Sequence, residues 1–156
     1  MNEITSADIP DYQSRQFQLL IARLFQCCQE RMQYQSERFG LPDAELRCLT
    51  LFEEERYLTA KTIAYKMNVV KSRVTKIIEG LVRKGLVQRI KDPEDSRIRL
   101  ISLTPKGQKK LLEVGDFQTT LLNEVLRQIA PEQRKTMLTN LELLKASMES
   151  VREWMV

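Results

Sequence analysis

The side chains able to do chemistry gather in one stretch. Lys71, Ser72, Arg73, Thr75 and Lys76 put three cations and two hydroxyls within six positions, and further on Asp95 stands two residues before Arg97, with Arg99 beyond. Ammonium and guanidinium groups at this density hold phosphate or carboxylate oxygens, and hydroxyls add hydrogen bonds whose direction they set by rotation. A carboxylate beside an arginine can grip the guanidinium as a fork. None of this is bond-breaking chemistry. The chain has no histidine, so the commonest general base, the commonest metal ligand and every Ser-His or Cys-His nucleophile are missing. No glycine-rich phosphate loop, G-x-S-x-G elbow or C-x-x-C pair occurs. The expectation is a protein that is not an enzyme and needs no cofactor. A metal would have only Cys27, Cys28, Cys48 and carboxylates to bind it, and none is expected.

The charge is polarised along the chain. Between Arg56 and Lys110 there are 15 Lys or Arg against 4 Asp or Glu, a net of +11, whereas the remainder carries 10 against 17, a net of −7. A strongly basic segment between acidic ones reads as a polyanion-binding module on a different kind of scaffold. At 156 residues the chain suits one domain with helical extensions. No apolar run approaches the roughly 18 residues that span a bilayer. The opening "MNEITSADIPDY" lacks the basic start and apolar middle of an export leader, and three cysteines without framework spacing suit a reducing compartment; a cytoplasmic protein with no membrane partner is expected.

The elements that must position these residues follow from periodicity. From about Tyr12 to Phe39, Phe17, Leu20, Leu24 and Cys27 or Cys28 recur at helical spacing, so the spacing predicts one long amphipathic helix ended by Gly40. Pro42 suits the first position of a second helix, with Leu46, Leu49 and Phe52 as its apolar stripe. Thr59 can cap a two-turn helix carrying Ile63, Ala64 and Met67, with Asn68 taking the left-handed turn that ends it. In "VVKSRVTKIIEGLVRKG", Val74, Ile77, Ile78 and Leu81 oppose a polar face of Lys71, Ser72, Thr75, Lys76 and Arg83, and Gly85 closes the helix with Leu86 folding back. Two short helices joined by "MNVV" have the spacing of a helix-turn-helix. "LVQRIK" and "RIRLISL", separated by "DPEDS", read as an antiparallel hairpin. Helix, helix and ribbon in that order make a winged helix. Thr104 and Pro105 open a further helix whose stripe runs Leu111, Val114, Phe117, Leu121, Leu122, Val125 and Ile129. Pro131 opens the last, in which Met137, Leu141, Leu144, Met148, Val151 and Met155 form a heptad seam. That seam can pack within its own chain or against a second copy. A reader of about 75 residues does not need three long amphipathic helices, which favours the second copy.

These residues resemble the MarR family of bacterial transcription regulators. The likeness spans about Tyr12 to Val151, and its specific part is "DSRIRLISLTPKG", where Asp95, Arg97, Leu103, Thr104 and Gly107 match. "TIAYKMNVVKSRVTKIIEGLVRKGLVQR" is similar to the family's reader segment. The resemblance implies a mainly α fold with a small β-hairpin wing: a dimerisation helix over 1–39, a winged helix-turn-helix over 40–104 and dimerisation helices over 105–156. It implies a homodimer on double-stranded DNA, most often a repressor, with a roughly palindromic operator. Ser72, Arg73, Thr75 and Lys76 are then the groove-facing positions, with Lys71 and Arg99 on the same basic surface. Arg97 is the wing arginine that enters the minor groove, and Asp95 braces it. Residues two apart on a strand share a side, which is the expected basis of that brace.

The resemblance further implies release of DNA by a small effector, often a phenolic or aromatic acid. The peroxide-sensing branch keeps its reactive cysteine near the position of Gln18, which this chain lacks, while at least one of Cys27 and Cys28 is expected on the helix's apolar side. Two departures stand out. Val70 replaces a side chain able to cap the reading helix, so that helix must start earlier or be satisfied otherwise. Gly80 sits inside the helix, through close packing or simple tolerance. The rival class is a winged-helix module that engages another protein and no longer reads DNA; the basic segment and Arg97 argue against it.

Overall fold

The computed structural model describes residues 8–155. Residues 1–7, on which most of the leader reading rests, and Val156 lie outside the described residues. The chain forms two compact units, one ending at Leu111 and the other beginning at Leu112.

In the first unit α1 (Asp11–Phe39) ends where expected, at Gly40 with φ +63°. Helix α2 (Asp43–Thr50) begins one residue later than the proline reading had it. Pro42 flanks the helix rather than opening it, because its carbonyl already accepts from the N–H groups of Glu45 and Leu46. Leu46 and Leu49 are buried, as is Phe52 in the single 3-10 turn that follows. Helix α3 (Ala60–Met67) is capped by Thr59 Oγ1, which accepts from Thr62 N–H at 3.1 Å, and is ended by Asn68 at φ +53°. Helix α4 (Lys71–Arg83) buries Val74, Ile77, Ile78 and Leu81, and closes through Leu86 N–H to Leu81 O at 3.0 Å with Gly85 at φ +73°. Each such side chain removed from water contributes about 1.5–3 kcal/mol, so this stripe is what fastens α4 to the core.

The hairpin pairs β1 (Val87–Lys91) with β2 (Arg99–Leu103), Arg89 lying opposite Ile101. Here the expectation needs correcting: β2 begins at Arg99, so Arg97 and Ile98 belong to the turn, not to the strand. The free edge of β2 is also partly covered. Leu58, just before the Thr59 cap, exchanges both backbone hydrogen bonds with Ile101, at 3.0 and 2.7 Å. The wing root is thereby held from two sides.

The Leu-Thr-x-x-Gly run has a plain physical reason. Thr104 Oγ1 accepts from Gly107 N–H at 3.0 Å and donates to Gly85 O at 2.5 Å, while Thr104 N–H bonds Leu86 O. Helix α5 (Pro105–Arg127) therefore starts hard against the end of α4. A Cβ on Gly107 would lie 1.8 Å from Leu86 O, so only glycine permits the approach.

In the second unit α6 (Pro131–Arg152) has Pro131 at its first position as expected, and Arg134 Nε donates to the carbonyls of Leu126 and Ile129 at 2.7 and 2.8 Å. Helix α6 buries no residue. Leu141, Met148 and Val151 of the heptad seam are about half exposed, and Met155 lies in a 3-10 turn past the helix end. Similarly, α1 buries only Gln35, leaving Phe17, Leu20 and Leu24 half exposed. Within the second unit Met137 and Leu144 are part-buried, and the rest of the seam stays exposed. Among the described residues no helix is long and apolar enough to cross a membrane.

Candidate nucleic-acid interface

Helix α4 presents Lys71, Ser72, Arg73, Thr75 and Lys76 to solvent on the side away from its buried stripe. Thr75 Oγ1 donates to Lys71 O at 3.1 Å, so this hydroxyl faces outward as an acceptor. The helix starts at Lys71 and no side chain caps it; the Val70 carbonyl accepts from Arg73 and Val74 N–H.

The wing tip is two nested side-chain turns. Asp92 Oδ1 accepts from Glu94 N–H at 2.8 Å and from Asp95 N–H at 3.4 Å, and Asp92 N–H donates to Ile98 O at 3.1 Å. That fixes the backbone on which Asp95 sits. Asp95 Oδ1 in turn accepts from Arg97 N–H at 3.0 Å and from Arg97 Nε at 3.1 Å, and Oδ2 accepts from Nη2 at 3.1 Å. The guanidinium is forked onto the carboxylate yet 89% of the side chain stays exposed. The expected pair is present, but its basis differs from the expectation: a turn, closed by Ile98 N–H to Asp95 O at 3.0 Å, brings Arg97 back onto Asp95. The Arg97 side chain, then its backbone N–H, hold the Asp95 carboxyl below its ordinary range. Arg99 is also engaged, Nη1 donating to Ser96 O at 3.0 Å, while Glu94 points into solvent.

Sequence reasoning brought together the reading helix and the wing arginine but passed over Glu45. Its carboxylate lies against Gly80 of α4, where a Cβ would come within 2.1 Å of Oε1, so close packing is the reason for that glycine. The signal was available: a glutamate adjoining the apolar stripe of one helix and a glycine inside another.

The cysteines divide by exposure. Cys27 and Cys28 are both exposed on α1, whereas Cys48 is fully buried. Burial, followed by the nearby charge of Glu45, pushes the Cys48 thiol from 9.0 up to about 12, which leaves it protonated and unreactive at neutral pH.

Two short helices with an exposed basic second member, followed by a ribbon with a braced arginine, define a winged helix-turn-helix DNA-binding protein. Comparison with known proteins narrows this. Residues 41–98 match the model of the MarR family. The HTH-type transcriptional repressor MdtR of Bacillus subtilis is 34% identical over 97 residues, covering 62% of this chain and 63% of that protein. The transcriptional regulator AdcR of Streptococcus pneumoniae is 31% identical over 99 residues, covering 62% of this chain and 67% of that protein. The structure of a MarR family protein from Bacillus stearothermophilus shares the fold, with a TM-score of 0.79 at 22% identity over 90% of this chain and 99% of that one. The chain belongs to the MarR family and is a DNA-binding transcription regulator.

Proposed function

We propose that the protein acts as a homodimer on a roughly palindromic operator, as a repressor, with α4 of each copy in one of two successive major grooves. In this reading Ser72, Arg73, Thr75 and Lys76 meet base edges and phosphates, Lys71 and Arg99 add phosphate contacts, and each wing lays Arg97 in a flanking minor groove. The observation that carries it is the Asp95–Arg97 fork at the tip of an exposed wing. An arginine held this way has already lost most of the rotamer freedom that insertion into a narrow groove would otherwise remove. The half-exposed seams of α1 and α6 support two copies per operator. Release by a small aromatic or phenolic acid completes the reading.

The test is a binding titration on a duplex selected from a random library, at fixed salt, with and without a panel of aromatic acids. Two protomers per duplex, and weaker binding with at least one acid, are expected. One protomer per duplex contradicts the dimer; affinity no better than for scrambled DNA contradicts operator reading altogether.

A further inference from the structure

Helix α4 is anchored by a buried charge as well as by its apolar stripe. Gly80 lies in the helix interior, where glycine costs about 1 kcal/mol relative to alanine. Its open face receives Glu45 of α2: a Cβ there would meet Oε1 at 2.1 Å and Cδ at 3.1 Å. The other oxygen, Oε2, accepts from Lys84 Nζ at 2.5 Å. The Glu45 side chain is 9% exposed against 38% for Lys84. Lys84 closes α4, and its own carbonyl accepts from Lys106 Nζ at 3.0 Å, beside the Thr104–Gly85 bond. The end of α4 is therefore tied to α2 by charge and to the first turn of α5 by hydrogen bonds. Apolar contacts are non-directional and tolerate a small roll of one helix on another. A carboxylate in a notch one methyl deep does not, because any roll strands it away from both Lys84 and water.

We infer that Glu45 is a positioning residue for DNA recognition: seated in the Gly80 notch and on Lys84, it fixes the roll of α4 and hence which side chains of 71–76 reach base edges. This rests on the reading that α4 enters the major groove. A part-buried ion pair of this kind adds little net stability, and its effect is on the uniqueness of the arrangement.

The experiment measures affinity of the full chain for a duplex selected on the wild-type protein and for a scrambled duplex, across several salt concentrations. Glu45→Ala lowers the selected-to-scrambled ratio about tenfold or more, the size of a lost base contact. Its scrambled-DNA affinity and salt slope stay within about twofold, because the basic face is intact. Glu45→Gln, which still accepts from Lys84, keeps the ratio within about threefold. Gly80→Ala lowers the ratio in the wild-type background yet adds nothing in the Glu45→Ala background, where the methyl has room; a cycle of this kind isolates the pairwise coupling. If Gly80→Ala alone does not fold, the double variant folds and matches Glu45→Ala. The inference is overturned if Glu45→Ala keeps the ratio, if Glu45→Gln loses as much as Glu45→Ala, or if Gly80→Ala is equally harmful in both backgrounds. Arg73→Ala and Lys76→Ala separate the two levels. If they leave the ratio unchanged, the groove reading fails; if they lower it and Glu45→Ala does not, only the role of Glu45 fails.

Discussion

The reader segment and the terminal helices answer the same physical demand in opposite ways. From Leu41 to Ile101 the chain buries most of its aliphatic side chains within itself, Val70 and Ile98 being exposed, and the wing arginines are tied down locally, Arg97 on Asp95 and Arg99 on Ser96 O. Along α1 and α6 the apolar residues recur just as regularly, yet Phe17, Leu20, Leu24, Leu141 and Met148 stay about half exposed. The first region has a core of its own in one copy of the chain, and the second leaves an apolar surface that the proposed homodimer would cover. The contrast teaches where to look for function: chemistry in the first region, assembly in the second.

The largest expected effect tests the self-sufficiency of the reader. Leu81→Ala, at a fully buried position of α4, should lower stability by about 2–5 kcal/mol in urea titrations. Leu138→Ala, exposed on α6, should change it by less than about 0.5 kcal/mol. Equal losses would erase the distinction. Next comes the seam. Leu141→Glu combined with Met148→Glu should turn a dimer into a monomer in sedimentation equilibrium and weaken binding to a two-site duplex by about a hundredfold or more. A dimer that survives both charges would place the second copy elsewhere.

Smaller effects concern the wing. Arg97→Ala should weaken binding to the selected duplex about tenfold, and Arg97→Lys should not restore it, since an ammonium cannot make the fork. The same pair sets a pH signature. Because the folded Asp95 carboxyl is depressed, the brace is fully present above the ordinary carboxylate value and is lost only as pH falls through the depressed one. The effect of Arg97→Ala on affinity should therefore be constant from about pH 8 to about pH 5. A change in that interval would assign the wing's behaviour to another group. Smallest, Asp92→Ala should loosen the turn beneath Asp95 and weaken binding roughly threefold, while Asp92→Asn, whose amide oxygen can accept the same N–H groups, recovers most of it. Identical losses from both would mean that charge, not turn geometry, is what Asp92 supplies.

Much of this was legible in the sequence because it is local. The Thr59 cap, the Asn68 turn, the Gly85 closure and the buried stripe of α4 each depend on neighbours within a few residues. So did the pairing of Asp95 with Arg97, although not its cause: a two-residue spacing fits both a strand and a tight turn, and only the hydrogen bonds of Asp92 and Ile98 decide between them. What escaped was non-local. Leu58 has no strand of its own to reveal its pairing with Ile101, and Glu45 meets Gly80 and Lys84 from 35 or more positions away.

The most direct test of the central claim is a chemical footprint of the full-length protein on its selected duplex. The account predicts two patches of major-groove protection about one helical turn apart, each flanked by minor-groove protection that disappears with Arg97→Ala. A single patch, or flanking protection that persists without the Arg97 guanidinium, would contradict it.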